Sequence, residues 1–586
     1  MPAGEGGGMA GTEGGEPTPE RVWWAKYPAA VPRRLEIPNV LLTDSVEAAV
    51  DRWPDRTALL YYGASWTYRE FWSLSERLAG QLARDGVGPG DRVALYLPNG
   101  PLYPIALFAV LRLGAIAVQV SPLYLGMDLA HLLRDAEPKS VVTLEILYPN
   151  LRKVRSDYAA PTVVVARLRD FYPVPKRWFV NGVLRRQHLP TDFPADPEVR
   201  AWARIARTPA RVPPWKGDPA STVALLQYTG GTTGRPKGAM LSHRNLVANV
   251  AQLTAWNTTR RPGEEVILAS IPFFHIYGLT VAGLMGLADG ATLVIQTRPE
   301  VREILRLISR YRPTQFPGVP ALYQALLDQP DLARYRLRSI RFCLSGSAPL
   351  PLAVAQRFEA VTGARIVEGY GLSETSPATH ANPIDGERRP GSIGLPLPET
   401  DQRIVDLETG TRTLPVGEVG ELCVKGPQVM LGYYRQPEET AQFLHDGWFR
   451  TGDIGRLDAD GYAYLVDRKK DMISVGGMKV YPREVEEVLF THPGVADVAV
   501  VGVPDRREGE VVRAFVVRKP GSSVTSEELI AFVRERIAHF KAPRIVEFRD
   551  ALPRSGVQKV LRRVLRDEAA RACDSPAAVP PTAPGR

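Results

Sequence analysis

The run Tyr228-Thr229-Gly230-Gly231-Thr232-Thr233-Gly234-Arg235-Pro236-Lys237-Gly238 packs four glycines, three threonines and one lysine into eleven positions. Glycines let a backbone approach a polyphosphate and turn its N–H groups toward it. The hydroxyls of Thr229, Thr232 and Thr233 suit phosphate oxygens or a magnesium ion, and Lys237 adds a point charge. An apolar, strand-like stretch, Thr222 to Gln227, precedes the run. A helical pattern starting near Ser242 and carrying Leu246, Val247, Val250 and Leu253 follows it. The predicted context is a strand, a glycine-rich loop and a helix, and the chemistry is that of a triphosphate cradle. A Walker A loop requires Gly-Lys followed directly by Ser or Thr. Here Pro236 precedes Lys237 and Gly238 follows it, which disfavours an ordinary P-loop NTPase. The plain alternative is a surface turn.

Further segments carry chemistry-bearing residues in turns. They are Ser345-Gly346-Ser347-Ala348-Pro349, Glu368-Gly369-Tyr370-Gly371-Leu372-Ser373-Glu374-Thr375 and Trp448-Phe449-Arg450-Thr451-Gly452-Asp453. Beyond the charged run Asp467-Arg468-Lys469-Lys470-Asp471 come Ser474-Val475-Gly476-Gly477-Met478-Lys479-Val480-Tyr481-Pro482 and Leu552-Pro553-Arg554-Ser555-Gly556-Val557-Gln558-Lys559-Val560-Leu561-Arg562-Arg563. Taken singly, each has an ordinary reading. Asp453 and Glu374 suit turn capping, His275 suits a core histidine, and Lys559 with Arg554, Arg562 and Arg563 suits a solvated basic helix face. Their joint occurrence is what points to a site.

The elements that must position these residues alternate in type. Arg92 to Leu97 reads as a buried strand, Leu102 to Arg112 as a helix and Ala115 to Val120 as a strand. The rhythm returns at Gly290 to Ile295, Ser339 to Leu344 and Arg365 to Glu368, so α/β layers with mostly parallel sheets are expected from about Val40 to Leu465. Beyond Asp467 the pattern becomes helix Pro482 to Phe490, strands Val495 to Val503 and Val511 to Val517, helix Ser526 to His539 and strand Arg544 to Phe548. That is a compact α+β unit with a charged hinge before it. Asp170 to Leu189 mixes Phe171, Tyr172, Trp178 and Phe179 with Lys176, Arg177, Arg185 and Arg186. It reads either as an amphipathic segment that meets a membrane or as a partly buried excursion with a solvated basic face.

At 586 residues the chain exceeds a single core, since domains average about 150 residues. A net charge of +9 over this surface suits polyanionic ligands or an acidic membrane face and does not require nucleic acid. Cys343, Cys423 and Cys573 are far apart and form no CxxC pair, so neither a zinc site nor a disulfide framework is indicated and a reducing, cytoplasmic setting fits. Residues 1–20 lack a basic and apolar leader and read as a disordered tail, as do residues 572–586. Ile267 to Ala288 is long enough to span a bilayer, but it contains Pro272, His275 and three glycines and reads as a buried strand and helix around a pocket. Gly278, Gly283 and Gly286 would leave room there for an alkyl chain.

In order along the chain, YTGGTTGRPKGAMLSHRN and the five turn segments resemble the adenylate-forming superfamily of acyl-CoA synthetases, luciferases and peptide-synthetase adenylation domains. AKYPAAVP, LLQYTGGTTGRPKGAMLSHRNL and IPFFHIYGLTV are most similar to the bacterial long-chain fatty acid CoA ligases. The resemblance implies an acetyl-CoA synthetase-like fold, with a large α/β domain over residues 40–466 and a small mobile α+β domain over 467–570. It implies activation of a medium- to long-chain fatty acid by ATP and Mg²⁺, then transfer to coenzyme A. Thr229, Gly230, Gly231, Thr232, Thr233, Gly234 and Lys237 would embrace the β- and γ-phosphates. Glu374, with Thr229, would hold magnesium. Gly346, Ser347 and Tyr370 would line the adenine slot, Gly371 and Thr375 would belong to the cofactor-binding set, and Asp453 with Arg468 would take the ribose. Lys559 would reach the substrate carboxylate and α-phosphate, Lys470 would be the pivot, and Gly476-Gly477 would replace Lys559 after the swing. His275 stands where the family has an aromatic residue near the acyl carboxylate. One position departs from the family: Gln558 stands where glycine usually precedes the lysine. The alternatives are an aryl or other acid passed to a carrier-protein thiol, and a non-catalytic acyl or nucleotide binder. A peripheral contact with the inner face of the membrane accompanies the leading reading; oligomeric state, a homodimer included, is open.

Overall fold

The computed structural model describes residues 21–158, 161–229, 237–505, 508–554 and 560–574. The first half of the chain, with one short strand added from the second, builds an eight-stranded sheet. Its order is Gly432–Tyr433, Lys237–Ser242, Val223–Thr229, Ile116–Val120, Arg92–Tyr96, Ser140–Leu144, Thr162–Ala166 and Val199–Ala201. From Val223–Thr229 onward all neighbours are parallel. Apart from the half-buried edge strand Val199–Ala201, their runs of Val, Leu and Ala are buried on both faces, as a parallel sheet covered by helices requires. Helix Leu102–Arg112 lies fully inside. Its Arg112 is tolerated there because Glu76 (2.9 Å) and Glu47 (3.4 Å) meet the guanidinium.

A second sheet runs Ala64–Thr67, Thr57–Tyr61, Thr292–Ile295 and Val266–Ala269. Gln315 bridges it to Phe342–Ser345, Arg365–Gly371, Ala378–Ala381 and Leu395–Pro396. Helix His243–Trp256 begins where the helical pattern does, with the Ser242 hydroxyl accepting the Asn245 N–H at 3.1 Å. Two expectations are corrected. The glycine-rich run leads into an antiparallel strand, Lys237–Ser242, before the helix, so its setting is a hairpin rather than strand–loop–helix. The α/β rhythm stops at Asp401. From there to Arg468 the chain forms an antiparallel sheet of Asp401–Val405, Gly420–Lys425, Leu444–His445, Trp448–Leu457 and Ala463–Arg468.

The small domain has Ile473–Val475, Met478–Val480, Val495–Asp505, Gly509–Arg518 and Ile545–Phe548 in one sheet, with helices Pro482–Phe490 and Ser526–Arg534. Its last helix, Arg562–Asp574, continues into residues read as tail. Cys343 and Cys423 are buried free thiols, and burial pushes the Cys423 thiol up to about 12, which leaves it unreactive. Among the described residues no helix is long and apolar enough to cross a membrane.

Candidate active site

The strands carrying Thr229, Ser345 and Tyr370 all deliver their loops at carboxyl ends, where open α/β sheets bind ligands. Thr229 ends its strand directly opposite Lys237. Gly230, Gly231, Thr232, Thr233 and Gly234 lie outside the described residues, as do Gln558 and Lys559. Lys237 is 5% exposed. Its ammonium pairs with Glu439, in the first turn of helix Pro437–Phe443, and sits 5.7 and 5.8 Å from the ring centroids of Tyr433 and Phe443. Aromatic faces favour a desolvated cation.

Tyr433 ties this lysine to the next group, because its hydroxyl donates to Glu374 Oε1 at 2.9 Å. The Glu374 carbonyl accepts the Met430 N–H at 2.8 Å, so backbone and side chain of the residue are both fixed by the segment Met430 to Tyr433. Burial pushes the Glu374 carboxyl up, which a bound cation would reverse. Among the described residues there is no cluster of three or more acidic, His or Cys side chains that could hold a metal. A cation here would rest on Glu374 and on substrate phosphates, the usual way in which magnesium is held, so the residues present fit that ion.

Asp453 faces Arg468 across two paired strands. The Tyr370 hydroxyl donates to Asp453 Oδ2 at 2.6 Å, and Arg468 Nε lies 3.1 Å from Oδ1. A carboxylate retains lone pairs for two further donors such as ribose hydroxyls. Gly346 is buried and a Cβ there would stand 3.2 Å from the Tyr277 ring, which is itself held by the carbonyls of Gly318 (2.9 Å) and Leu344 (2.7 Å). Ser347 is exposed with φ of 69°. A Cβ on Gly371 would fall 1.9 Å from the Pro377 carbonyl oxygen, so glycine is what lets this turn fold back.

Thr375 lies in the turn that carries Glu374. It is fully buried, and its hydroxyl bonds the carbonyls of Leu372 (3.1 Å) and Pro377, which makes it a brace for the turn that carries Glu374. Nothing lies within 4 Å of a Cβ built on Gly476 or Gly477, and the Gly476 N–H donates to the Glu508 carbonyl at 2.8 Å. Lys470 lies in the turn Lys469–Asp471 that joins the two domains, and desolvation together with Arg468 lowers its pKa. His275 is half-buried, with Nδ1 accepting the Tyr277 N–H at 3.2 Å.

Two of the three glycines expected to clear an alkyl path serve close packing instead. A Cβ on Gly278 would meet the Pro272 carbonyl oxygen at 2.3 Å, and one on Gly286 would meet Ile267 and Leu293 at 2.8 Å. Only Gly283, 3.6 Å from Leu279 and Phe273, stands at ordinary contact distance.

Tyr433 and Glu439 are the residues that sequence reasoning missed. Glu439 follows Pro437 and Glu438 and reads as an ordinary acidic first turn of a helix. The signal would have been the pairing of Tyr433 with Ala239, two residues after Lys237, which is not visible along the chain. Glu439→Gln strands the buried Lys237 charge. The unliganded protein is expected to lose about 3 kcal/mol, and ATP should raise its Tm more than it raises that of the parent, because phosphate replaces the lost counter-charge. Thermal melts with and without ATP check this.

Glu368, two residues before Tyr370, accepts the Leu350 N–H at 3.2 Å, and burial pushes its carboxyl from 4.5 up to about 7 despite the Arg483 charge of the small domain. A raised acid pKa means that the folded state holds the proton longer. Its stabilising contribution is complete below about 4.5 and is lost as pH rises through about 7. Glu368→Gln should leave stability at pH 4.5 nearly unchanged and raise it by about 3 kcal/mol at pH 8. Denaturant titrations at the two pH values read the difference.

The chain matches two sequence families: "AMP-binding enzyme" over residues 46–434 and "AMP-binding enzyme C-terminal domain" over residues 484–559. It is 44% identical to a long-chain-fatty-acid–CoA ligase of Bacillus subtilis, covering 94% of this chain and 98% of that protein. It is 39% identical to a long-chain-fatty-acid–CoA ligase of Escherichia coli, covering 95% and 100%. Among solved structures it is similar to ATP-bound MatB from Rhodopseudomonas palustris, with a TM-score of 0.78, 31% identity and coverage of 91% and 99%.

Proposed function

From a chain that belongs to the AMP-binding enzyme family, we infer an AMP-forming ligase that joins a medium- to long-chain fatty acid to coenzyme A. The observation that carries the reading is the linked set Lys237–Tyr433–Glu374 beside Tyr370–Asp453–Arg468. Cationic, carboxylate and aromatic groups meet there as a nucleoside triphosphate requires. Near full-length similarity to two long-chain-fatty-acid–CoA ligases supports the acid and the thiol, and similarity to ATP-bound MatB supports the nucleotide.

A fatty carboxylate is a poor electrophile. One of its oxygens attacks the α-phosphorus of ATP; a P–O bond forms to the acid and the P–O bond to pyrophosphate breaks. The CoA thiol, losing its proton, then adds to the acyl carbonyl, and AMP departs with the C–O bond. The first step brings anion to anion, so charge neutralisation and in-line placement dominate the barrier. Lys237 and the glycine-rich run neutralise the β- and γ-phosphates. Asp453 and Arg468 fix the ribose, and Tyr370 offers its ring to the adenine. Magnesium, when bound at Glu374, neutralises phosphate charge. Lys559 meets the carboxylate in the first step, and Gly476-Gly477 takes its place in the second after rotation about Lys470. Residues 40–466 and 467–570 are the two bodies of that rotation.

The test is pyrophosphate release from ATP and magnesium with free acids from acetate to oleate, with and without CoA. Release that is greatest with long acids, followed by CoA-dependent AMP, is expected. A pyrophosphate burst that CoA does not relieve would assign the acyl group to a carrier-protein thiol. Binding of ATP and acid without release would remove the catalytic reading.

A further inference from the structure

The turn Lys469–Asp471 joins the two domains, and the charges on either side of Lys470 reach in opposite directions. Asp471 meets Arg566 at 3.3 Å and Arg562 at 3.6 Å, both on the last helix of the small domain. Lys469 reaches back into the large domain, where its Nζ lies 3.2 Å from Glu421 Oε2.

Glu421 is 2% exposed, and its bonds serve one corner of the antiparallel sheet. Its Oε2 accepts Arg450 Nη2 at 2.6 Å and Nε at 3.2 Å, and its Oε1 accepts the Gly452 N–H at 3.2 Å. Gly452 and Arg450 lie on strand Trp448–Leu457, immediately before Asp453. The pairing of that strand with Gly420–Lys425 is irregular at this point, and Gly452 takes a φ of 70°. Irregularities of this kind re-aim the neighbouring side chain, which here is Asp453. A buried carboxylate needs a cation, and Arg450 supplies it through two nitrogens. Lys469 is therefore a second cation on a carboxylate already neutralised. Its side chain is 35% exposed, so water reaches the ammonium without this contact. Charge balance does not account for the pair. The place of Lys469, next to the pivot, does.

We propose that Lys469 is a positioning residue for the domain rotation. Through Glu421 it pins the entry to the hinge against the strand that carries Asp453, while Asp471 pins the exit to the small domain, and the turning is confined to Lys470. The proposal deepens the ligase reading and rests on its rotation about Lys470. A hinge works by concentrating a large φ/ψ change in few residues. With Lys469 loose, a second residue turns, and each catalytic orientation has to be selected from a wider set. Glu421 also gives hinge and ribose site one anchor, since it holds the backbone beside Asp453 and the residue beside Lys470. The small domain then turns about a point fixed relative to the nucleotide.

Lys469→Met keeps the alkyl stem and leaves Glu421 with Arg450, and Lys469→Arg restores the cation. The test uses the full chain without substrate, on a Cys573→Ser background in which the buried Cys343 and Cys423 take no label. Spin labels at Gln356→Cys in the large domain and Glu527→Cys in the small domain, both exposed, report the spread of distances between the two bodies. Lys469→Met should widen that spread by about twofold or more, and Lys469→Arg should return it to the parent's width. In turnover, Lys469→Met should lower kcat by about tenfold both for pyrophosphate release and for acyl transfer from added acyl-adenylate. The KM for ATP should not change, because Arg450 and Gly452 still fix Glu421 beside Asp453. A parental width in Lys469→Met, or a widened one in Lys469→Arg, would overturn the proposal, as would a raised KM for ATP with kcat kept. A lysine that only balanced charge would lower the Tm of Lys469→Met and move neither the width nor kcat, which also overturns it. No turnover by the parent would count against the ligase reading alone, because the distances are read without substrate.

Discussion

Glu374→Gln lowers fatty-acid-dependent pyrophosphate release by about 10²–10³-fold, the range found when one fixed electrostatic contact is removed from a transition state. The substitution isolates charge. Glutamine has the same length, and its side-chain oxygen can still accept the Tyr433 hydroxyl that reaches Glu374 at 2.9 Å. The backbone bond from Met430 to the Glu374 carbonyl is untouched, and Thr375 continues to brace the turn. What disappears is the negative charge that burial already makes costly and that a divalent cation would stabilise. With the metal held by phosphates alone, part of the lost rate should return as magnesium is raised. The measurement is the initial rate of pyrophosphate release against magnesium concentration. A parent-like rate at every concentration would mean that Glu374 does not serve the cation, and the assignment would fall.

What the chain discloses to a reader of sequence depends on how far apart the partners lie. The run from Thr229 to Lys237 is legible because one stretch of glycines, hydroxyls and a lysine has few other uses. Helix Leu102–Arg112 reads correctly to the residue because its apolar run is long and bounded by turn residues. Tyr433 and Glu439 are not legible. They reach Lys237 from about two hundred residues away, through a short strand, Gly432–Tyr433, added at the edge of the sheet. The antiparallel sheet from Asp401 to Arg468 escapes for a related reason: its strands carry the same Val, Leu and Ile as the parallel ones, and pairing direction is set by chain path rather than composition. The glycines Gly278 and Gly286 show the converse error. Missing side-chain volume suggests a void along the sequence, but in the fold it lets a helix approach a carbonyl and a sheet.

Lys559→Ala separates the two half-reactions. Pyrophosphate release should fall by about 10³-fold, while acyl transfer to CoA from added acyl-adenylate should stay within about threefold of the parent, because the lysine is expected at the site only in the first step. The framework around the lysine explains why it and the hinge would move as one body. Arg554 and Val560 pair across the base of its segment, and Leu561 N–H donates to the Pro553 carbonyl at 2.8 Å. Three residues after Lys559, Arg562 bonds Glu486 at 2.6 Å and lies 3.6 Å from Asp471, and Arg566 reaches Asp471 at 3.3 Å. Asp471 belongs to the same turn as Lys470, so any rotation there carries the lysine segment with it. Gly476 and Gly477, with open space where a Cβ would stand, sit on the same body and are available to be brought in by that rotation. Gln558 adds a second reading of the same experiment: Gln558→Gly should raise the first rate and leave the second unchanged if glutamine strains the lysine segment. Equal loss of both half-reactions in Lys559→Ala would show that the lysine supports the fold or the nucleotide throughout, and the exchange of Lys559 for Gly476-Gly477 would have to be abandoned.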